Sequence, residues 1–373
     1  KCSMTHPSNN PTPSESQLFS KHDLIFLAVA TFIAGWIVKL PKVLQWEQDQ
    51  FIAKNIGFIV FPALIYYFSR KRSIPFQKTL FSLVVVVLAI VYANVLPFNE
   101  QSDSLLLALI HLPLFIWTLV GFAFSGNDIR NISQRIAFLR FNGDLVVMLA
   151  VMQLAASLFT IITLGLYELI GINIKDFYID YVVNWGLPAI PLLATVLVVN
   201  NPQLVGKVSP IIAKIFTPFV LISLAFFLGA VIATGKDPYN DREFLIIFNA
   251  LLIGVMAIIL FSLSEATKGQ RNKFQLIVLL SLSVLTIIDN GIAISAILFR
   301  LTEYGITPNR LAVLGSNLLM LLNLIGIAYQ LVHVLKGTKE TESVEKVIAQ
   351  FLPLYALWCA LVAFGFPLLF GFK

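Results

Sequence analysis

Apolar runs separated by short polar stretches recur along the whole chain, and their length sets the architecture. A helix that crosses the ~30 Å hydrocarbon core of a bilayer needs roughly 17–25 mostly apolar residues. Segments 23–40, 51–69, 78–97, 104–125, 144–171, 180–200, 210–234, 243–264, 273–299, 308–335 and 348–371 meet that requirement. The second is interrupted by Lys54, Asn55 and Pro62. None alternates with period two, which argues against a transmembrane β-barrel. In lipid each backbone polar group must be satisfied within its own segment, which leaves helices. The expected fold is an all-α, polytopic integral membrane bundle of about 11 transmembrane helices. Residues 1–22, rich in Ser, Pro and Asn, are expected to form a disordered cytoplasmic tail, and 23–373 the transmembrane domain. The chain opens on Lys1, and Met4 is a candidate start. The run Leu24–Val38 is expected to be an uncleaved first span, since its small-x-small site, Ala28-Val29-Ala30, comes too early for cleavage.

Composition agrees with the pattern. Apolar residues make up 58% of the chain and charged residues 12%, too few to coat a soluble protein of 373 residues. The net charge of +6 is explained by loops rather than by nucleic acid, because no basic run is interleaved with aromatics. The basic residues cluster: Arg70, Lys71, Arg72 and Lys78 between the second and third segments, then Arg130, Arg135 and Arg140, then Lys268, Arg271 and Lys273, then Lys336, Lys339 and Lys346. With Lys1, Lys21, Lys207 and Lys214 they place most of the 26 Lys and Arg on one side. The positive-inside rule makes that side cytoplasmic, giving an N-in/C-out chain. Between 126 and 143, Ile129, Ile132, Ile136 and Leu139 share helical spacing and suggest a helix along the membrane surface.

Candidate chemistry is sparse. Cys2 and Cys359 are too few for a disulfide framework, and four scattered His give no zinc pattern. No HExxH, GxSxG or Walker A motif is present, so no catalytic residue, cofactor or metal site is assigned. Glu47 and Asp49 form an acidic pair that a lipid-linked membrane transferase would use to hold a metal, and such short matches are common by chance. Charge at the bilayer centre costs roughly 2.5–3.5 kcal/mol on insertion scales, so intramembrane acids are candidates by default. Asp289 is the leading one. Arg300 lies eleven residues beyond it, about 16 Å of helix, half of the ~30 Å core. Thr286, Asp289, Ala293, Ala296 and Arg300 form one stripe, expected to face inward. Ser316, Asn323, Gln330 and His333 offer a polar seam on the next segment, with Asn317 beside it.

Two readings of Asp289, Asn290 and Asn323 stand side by side: an ion or proton site, as in a secondary transporter or ion-coupled permease acting on a small solute or ion, and a helix–helix hydrogen-bond clamp. The second suits a non-catalytic membrane scaffold or sensor subunit. His111, Asn94, Asn184 and Asn249 are expected to be packed or to act as interhelical donors, Asp144 to cap a helix or pair with Arg140, and Glu168 and Glu265 to sit at interfaces.

The run from Arg300 through Glu303, Tyr304, Gly305, Ile306 and Thr307 to Arg310 resembles the Tyr-Gly-Leu/Ile-Thr-x-x-Arg signature of an uncharacterised family of bacterial multi-spanning membrane proteins. Phe138–Asp144 is similar to a second segment of that family. The resemblance implies a bacterial cytoplasmic membrane and brings no substrate. Physically, Gly305 permits a tight turn, Thr307 can cap the next helix, and Pro308 suits its first turn. Arg300, Glu303 and Arg310 are expected to pair across this turn.

Overall fold

A computed structural model describes residues 19–202 apart from 127 and 129, then 208–234, 239, 242–265 and 273–372. The expected tail lies outside the described residues as far as residue 18. The described elements are all helical. They are α1 (Lys21–Leu44), α2 (Gln48–Lys71), α3 (Phe76–Val95), α4 (Asp103–Phe124), α5 (Ile132–Leu169) and α6 (Lys175–Asn200). Then come α7 (Val208–Thr234), α8 (Arg242–Glu265), α9 (Lys273–Tyr304), α10 (Pro308–Leu335) and α11 (Glu342–Leu369). Each apolar segment read from the sequence falls on one of them.

Among the described residues nine helices are long and apolar enough to cross a membrane. In α7 and α8 the described apolar stretches are Thr217–Ala230 and Phe248–Leu260. The outward faces carry large apolar side chains, among them Leu169 at 85% exposure and Val95 at 78%. Apolar surface on this scale suits lipid rather than water. The chain is a helical membrane protein.

Local sequence explains where helices start. Ser20 and Asp23 form a capping box on α1: the Ser20 hydroxyl accepts from the Asp23 amide and the Asp23 carboxylate accepts from the Ser20 amide, both at 3.1 Å. Ser102 caps α4 and Asn131 caps α5 by the one-way bond alone, each side-chain oxygen accepting from the amide three residues on. π-helical turns interrupt α6 at Ile179–Val183 and α11 at Leu361–Gly365, the latter ending on a glycine.

The region 126–143 differs from the surface helix expected of it. Residues from Ile132 onward are the first turns of α5, a single helix of 38 residues and about 57 Å, nearly twice the hydrocarbon core. Its apolar side turns into the protein. Ile136 is buried, Leu139 packs on one core cluster, and Phe138 and Phe141 join Phe68 and Phe124 of another, with ring centroids 5.1–6.3 Å apart. Aromatic packing of that density outweighs what the same face would gain at a headgroup boundary. Asp144 accordingly lies inside α5, and the cap belongs to Asn131.

Two apolar clusters organise the bundle. The first joins α1–α4, α6 and the start of α5, with Ile65, Phe68, Ile116 and Leu192 at its centre. The second joins α7–α11, around Leu252, Ile259, Leu282 and Leu324. α5 and α11 tie them together. Arg140 pairs with Glu345 at 3.1 Å, and Arg135 Nη1 donates to the carbonyl of Ala349 at 2.9 Å. At the opposite end Ser102 Oγ donates to the carbonyl of Phe372 at 2.9 Å, and Tyr92 Oη donates to Ala363 O at 2.9 Å.

Candidate functional site

The centre of the second cluster is the crossing of α9 and α10, the most extensive helix pair among the described residues. Asp289 lies sixteen residues from the start of α9 and fifteen from its end. At ~1.5 Å per residue it sits within a few ångströms of the helix midpoint. Of the expected stripe, Thr286, Asp289, Ala293 and Ala296 are buried, with Asn290 beside them, while Arg300 at its end is only partly buried. α9 passes through Gly291 without a break.

Polar groups around Asp289 are spent elsewhere. The hydroxyls of Ser283 and Thr286 donate back to Leu279 O and Leu282 O at 2.8 and 2.7 Å, within their own helix. Asn290 Nδ2 donates to the backbone oxygen of Asn317 at 3.1 Å. Asn317 Nδ2 in turn donates to Asn249 Oδ1 on α8 at 2.6 Å. These three asparagines form a ladder across α9, α10 and α8, the interhelical glue expected of polar side chains in lipid. Asn249 acts in it as acceptor. Asp289 stays outside the ladder: it is fully buried, and neither carboxylate oxygen has a hydrogen-bond partner among the described residues. Asn290 Oδ1 and Asn323 Oδ1 are also buried without a donor.

Asn323 belongs to a different layer. It lies six residues past Asn317, about 9 Å along α10, and its Nδ2 donates to Tyr355 Oη on α11 at 3.1 Å. The expected set Asp289, Asn290 and Asn323 therefore shares one crossing and no hydrogen bond. The polar seam of α10 mostly faces α11 or its own end. Trp358 Nε1 donates to Ser316 Oγ at 3.0 Å, Lys339 reaches Gln330, and His333 meets Thr338. Close approach occurs here too: a Cβ on Gly315 would lie 2.1 Å from the Trp358 ring, and one on Gly326 2.8 Å from Val347. Tyr355 and Trp358 went unmarked in the sequence because an aromatic on an apolar run carries no sign of its partner.

The turn between α9 and α10 is built from its own motif. Gly305 has φ +75°, a left-handed conformation that costs glycine nothing. Thr307 Oγ1 accepts from the Arg310 amide at 3.3 Å and Pro308 opens α10. Arg310 Nη1 donates to Tyr304 O and Gly305 O at 2.8 and 2.6 Å, closing the C-terminal carbonyls of α9. The guanidiniums of Arg300 and Arg310 lie 5.8 and 5.6 Å from the centre of the Tyr304 ring. Glu303 is exposed and joins no ion pair among the described residues, contrary to the expected pairing with the arginines. Backbone carbonyls and the Tyr304 ring take up Arg310, whereas Arg300 meets the ring and its Nη1 is buried without a hydrogen-bond partner among the described residues.

Elsewhere, ordinary roles absorb the other polar residues. His111 Nδ1 bonds Leu107 O at 2.8 Å, and Asn55 and Asn94 exchange hydrogen bonds at 2.9 and 3.1 Å. Lys54 is buried and donates to Leu96 O at 2.5 Å, covering the end of α3. Glu168 is exposed at the end of α5, and the Glu265 side chain lies outside the described residues. Glu47 and Asp49 are exposed at the N-terminus of α2, where acidic residues complement the helix dipole. Among the described residues no group of three or more His, Cys, Asp or Glu could hold a metal ion. Comparison with protein-family models, with curated proteins and with solved structures finds no match to this chain.

Proposed function

We propose that this protein is an ion-coupled secondary transporter in which Asp289 carries a proton or small cation across the middle of the membrane. The observation that carries the reading is the fully buried carboxylate with no donor at either oxygen, midway along α9. A bare carboxylate in that setting is costly by several kcal/mol. It is tolerated when a proton or cation rides on it. The clamp reading fits the neighbouring asparagines, which already hold α8, α9 and α10 together without Asp289. Asn290 Oδ1, next to it, is a further acceptor free to ligate a cation.

The topology proposed with it is eleven spans, N-in and C-out, in a bacterial cytoplasmic membrane, within the family that the Tyr304–Arg310 motif resembles. Helix lengths support the count, since α7 and α8 run to 27 and 24 residues. Contacts between helix ends support the alternation. Lys71 reaches Asn200 and Arg140 reaches Glu345 at the ends assigned inside. Lys42 pairs with Asp180, and Ser102 with Phe372, at the ends assigned outside.

The test uses purified protein in vesicles containing a trapped pH dye, under an imposed proton gradient, challenged with a panel of amino acids, sugars and organic ions. A solute that acidifies the lumen with wild-type protein is expected to leave it unchanged with Asp289→Asn. Equal acidification by both proteins would refute the role of Asp289. Loss of stability without any change in flux would favour a scaffold or sensor subunit.

A further inference from the structure

A second feature lies far from Asp289 and does not depend on it. Between α1 and α2 runs a groove of ≈ 830 Å³. Its walls come from one face of each helix: Ile25, Val29 and Ile33 on α1, and Ile59, Ala63 and Tyr66 on α2. Ala30 and Ala63 keep it open where the helices would otherwise fill the space. From Ser20 to Ile33 it extends about 20 Å, slightly more than the ~15 Å hydrocarbon depth of one leaflet. Ile25, Val29, Ile33 and Tyr66 are about half exposed, so the groove opens sideways to lipid rather than inward.

The mouth is basic. His22, Arg70 and Lys71 stand there, all exposed. The one acid lining the mouth, Asp23, is buried and its oxygens are already engaged. Its carboxylate accepts from Ser20, from Asn200 Nδ2 at 2.8 Å and from Tyr67 Oη at 3.4 Å. Lys71 is positioned by Asn200 Oδ1 at 2.8 Å. The Arg70 guanidinium and the His22 ring join no hydrogen bond or ion pair among the described residues. An apolar slot one leaflet deep, ending in an uncommitted guanidinium at headgroup level, has the form of a lipid with an anionic head.

We infer that the α1–α2 groove is a binding site for an anionic phospholipid, with an acyl chain along Val29, Ala30 and Ala63 and the phosphate at Arg70, Lys71 and His22. A basic pocket between membrane helices is the expected recognition element for such heads. A guanidinium suits phosphate because it presents donors in a fixed fork.

Native mass spectrometry of delipidated protein, with phosphatidylglycerol or phosphatidylcholine added back, tests this. Phosphatidylglycerol is expected to be retained preferentially. Arg70→Gln, a change at an exposed position, should weaken its retention roughly fivefold, with Arg70→Lys recovering part of the loss. Ala63→Phe fills the slot and should abolish retention with every cation intact. Excess inorganic phosphate should not displace the lipid, and removal of residues 1–18 should leave retention unchanged. Circular dichroism and elution volume identify variants that retain the fold. Equal retention of phosphatidylcholine, or undiminished retention by Arg70→Gln, would overturn the inference. So would displacement by phosphate alone, which makes the mouth an ordinary anion site. Lipid entry only after removal of residues 1–18 would assign the groove to the chain's own tail and equally end it.

Discussion

Replacing Asp289 with valine should make the protein more stable. The side chain is fully buried, and both oxygens lack donors. A buried polar group without a partner costs about 1–3 kcal/mol. Valine removes both oxygens at nearly constant volume, and its helix propensity is close to that of aspartate. Volume-conserving core changes cost under ~1.5 kcal/mol in repacking. The balance is a gain of about 1–2 kcal/mol. The neighbouring ladder should behave in the opposite way. Asn317→Ala deletes the 2.6 Å bond to Asn249 and opens a small void between α8 and α10. Interhelical hydrogen bonds in membranes average ~0.6 kcal/mol and reach ~1.7, so with the void a loss of about 1–2 kcal/mol follows. Unfolding in mixed micelles of increasing denaturing detergent, followed by helical circular dichroism and tryptophan fluorescence, measures both. The refuting result is a stability loss of about 1 kcal/mol or more in Asp289→Val. The carboxylate would then be a clamp, and the argument from its missing donors would fail.

Two further outcomes are expected. Gly315→Leu should drive the Trp358 ring off α10, break its bond to Ser316 and cost about 1–3 kcal/mol, with a red shift of tryptophan emission as the readout. A reporter fused after Lys373 should be active only in the form that works outside the cytoplasm, whereas one fused within the 336–341 connection should report the cytoplasm. The reverse pattern at the C-terminus would remove one span from the proposed topology.

Much of the fold was legible because hydrophobic length is a strong signal: a run of apolar residues in lipid has helix as its only unpaired solution. The Thr307 cap and the Gly305 turn were legible, since their chemistry acts within four residues; the Ser20 cap obeys the same local rule and was not read. The buried part of the stripe, Thr286, Asp289, Ala293 and Ala296, was legible from helical spacing alone, and Arg300 at its end is only partly buried. What stayed hidden depended on neighbours distant in sequence. The start of α5 has an amphipathic pattern equally suited to a membrane surface and a protein core, and only Phe68 and Phe124, from α2 and α4, decide between them. Arg310 was expected to meet a carboxylate because charge suggests charge. A guanidinium is equally satisfied by two carbonyls at a helix end, and it is nearer to them. The partners of Asn323 and Ser316 are aromatics on α11, which spacing along α10 does not encode.

The self-closing turn at Tyr304–Arg310 has a consequence for how this protein is made. A lone helix carrying Asp289 enters a bilayer at a penalty of roughly 2.5–3.5 kcal/mol for that residue. The Gly305 turn, the Thr307 cap and the Arg310 bridge are local to the connection, so α9 and α10 are joined as a hairpin as soon as both have been synthesised. Asn290 then meets the backbone of Asn317 directly, next to the acid on the same helix. The seven-residue motif is in this sense an assembly instruction: its local bonds favour pairing of the helix that carries Asp289 with the helix that follows it.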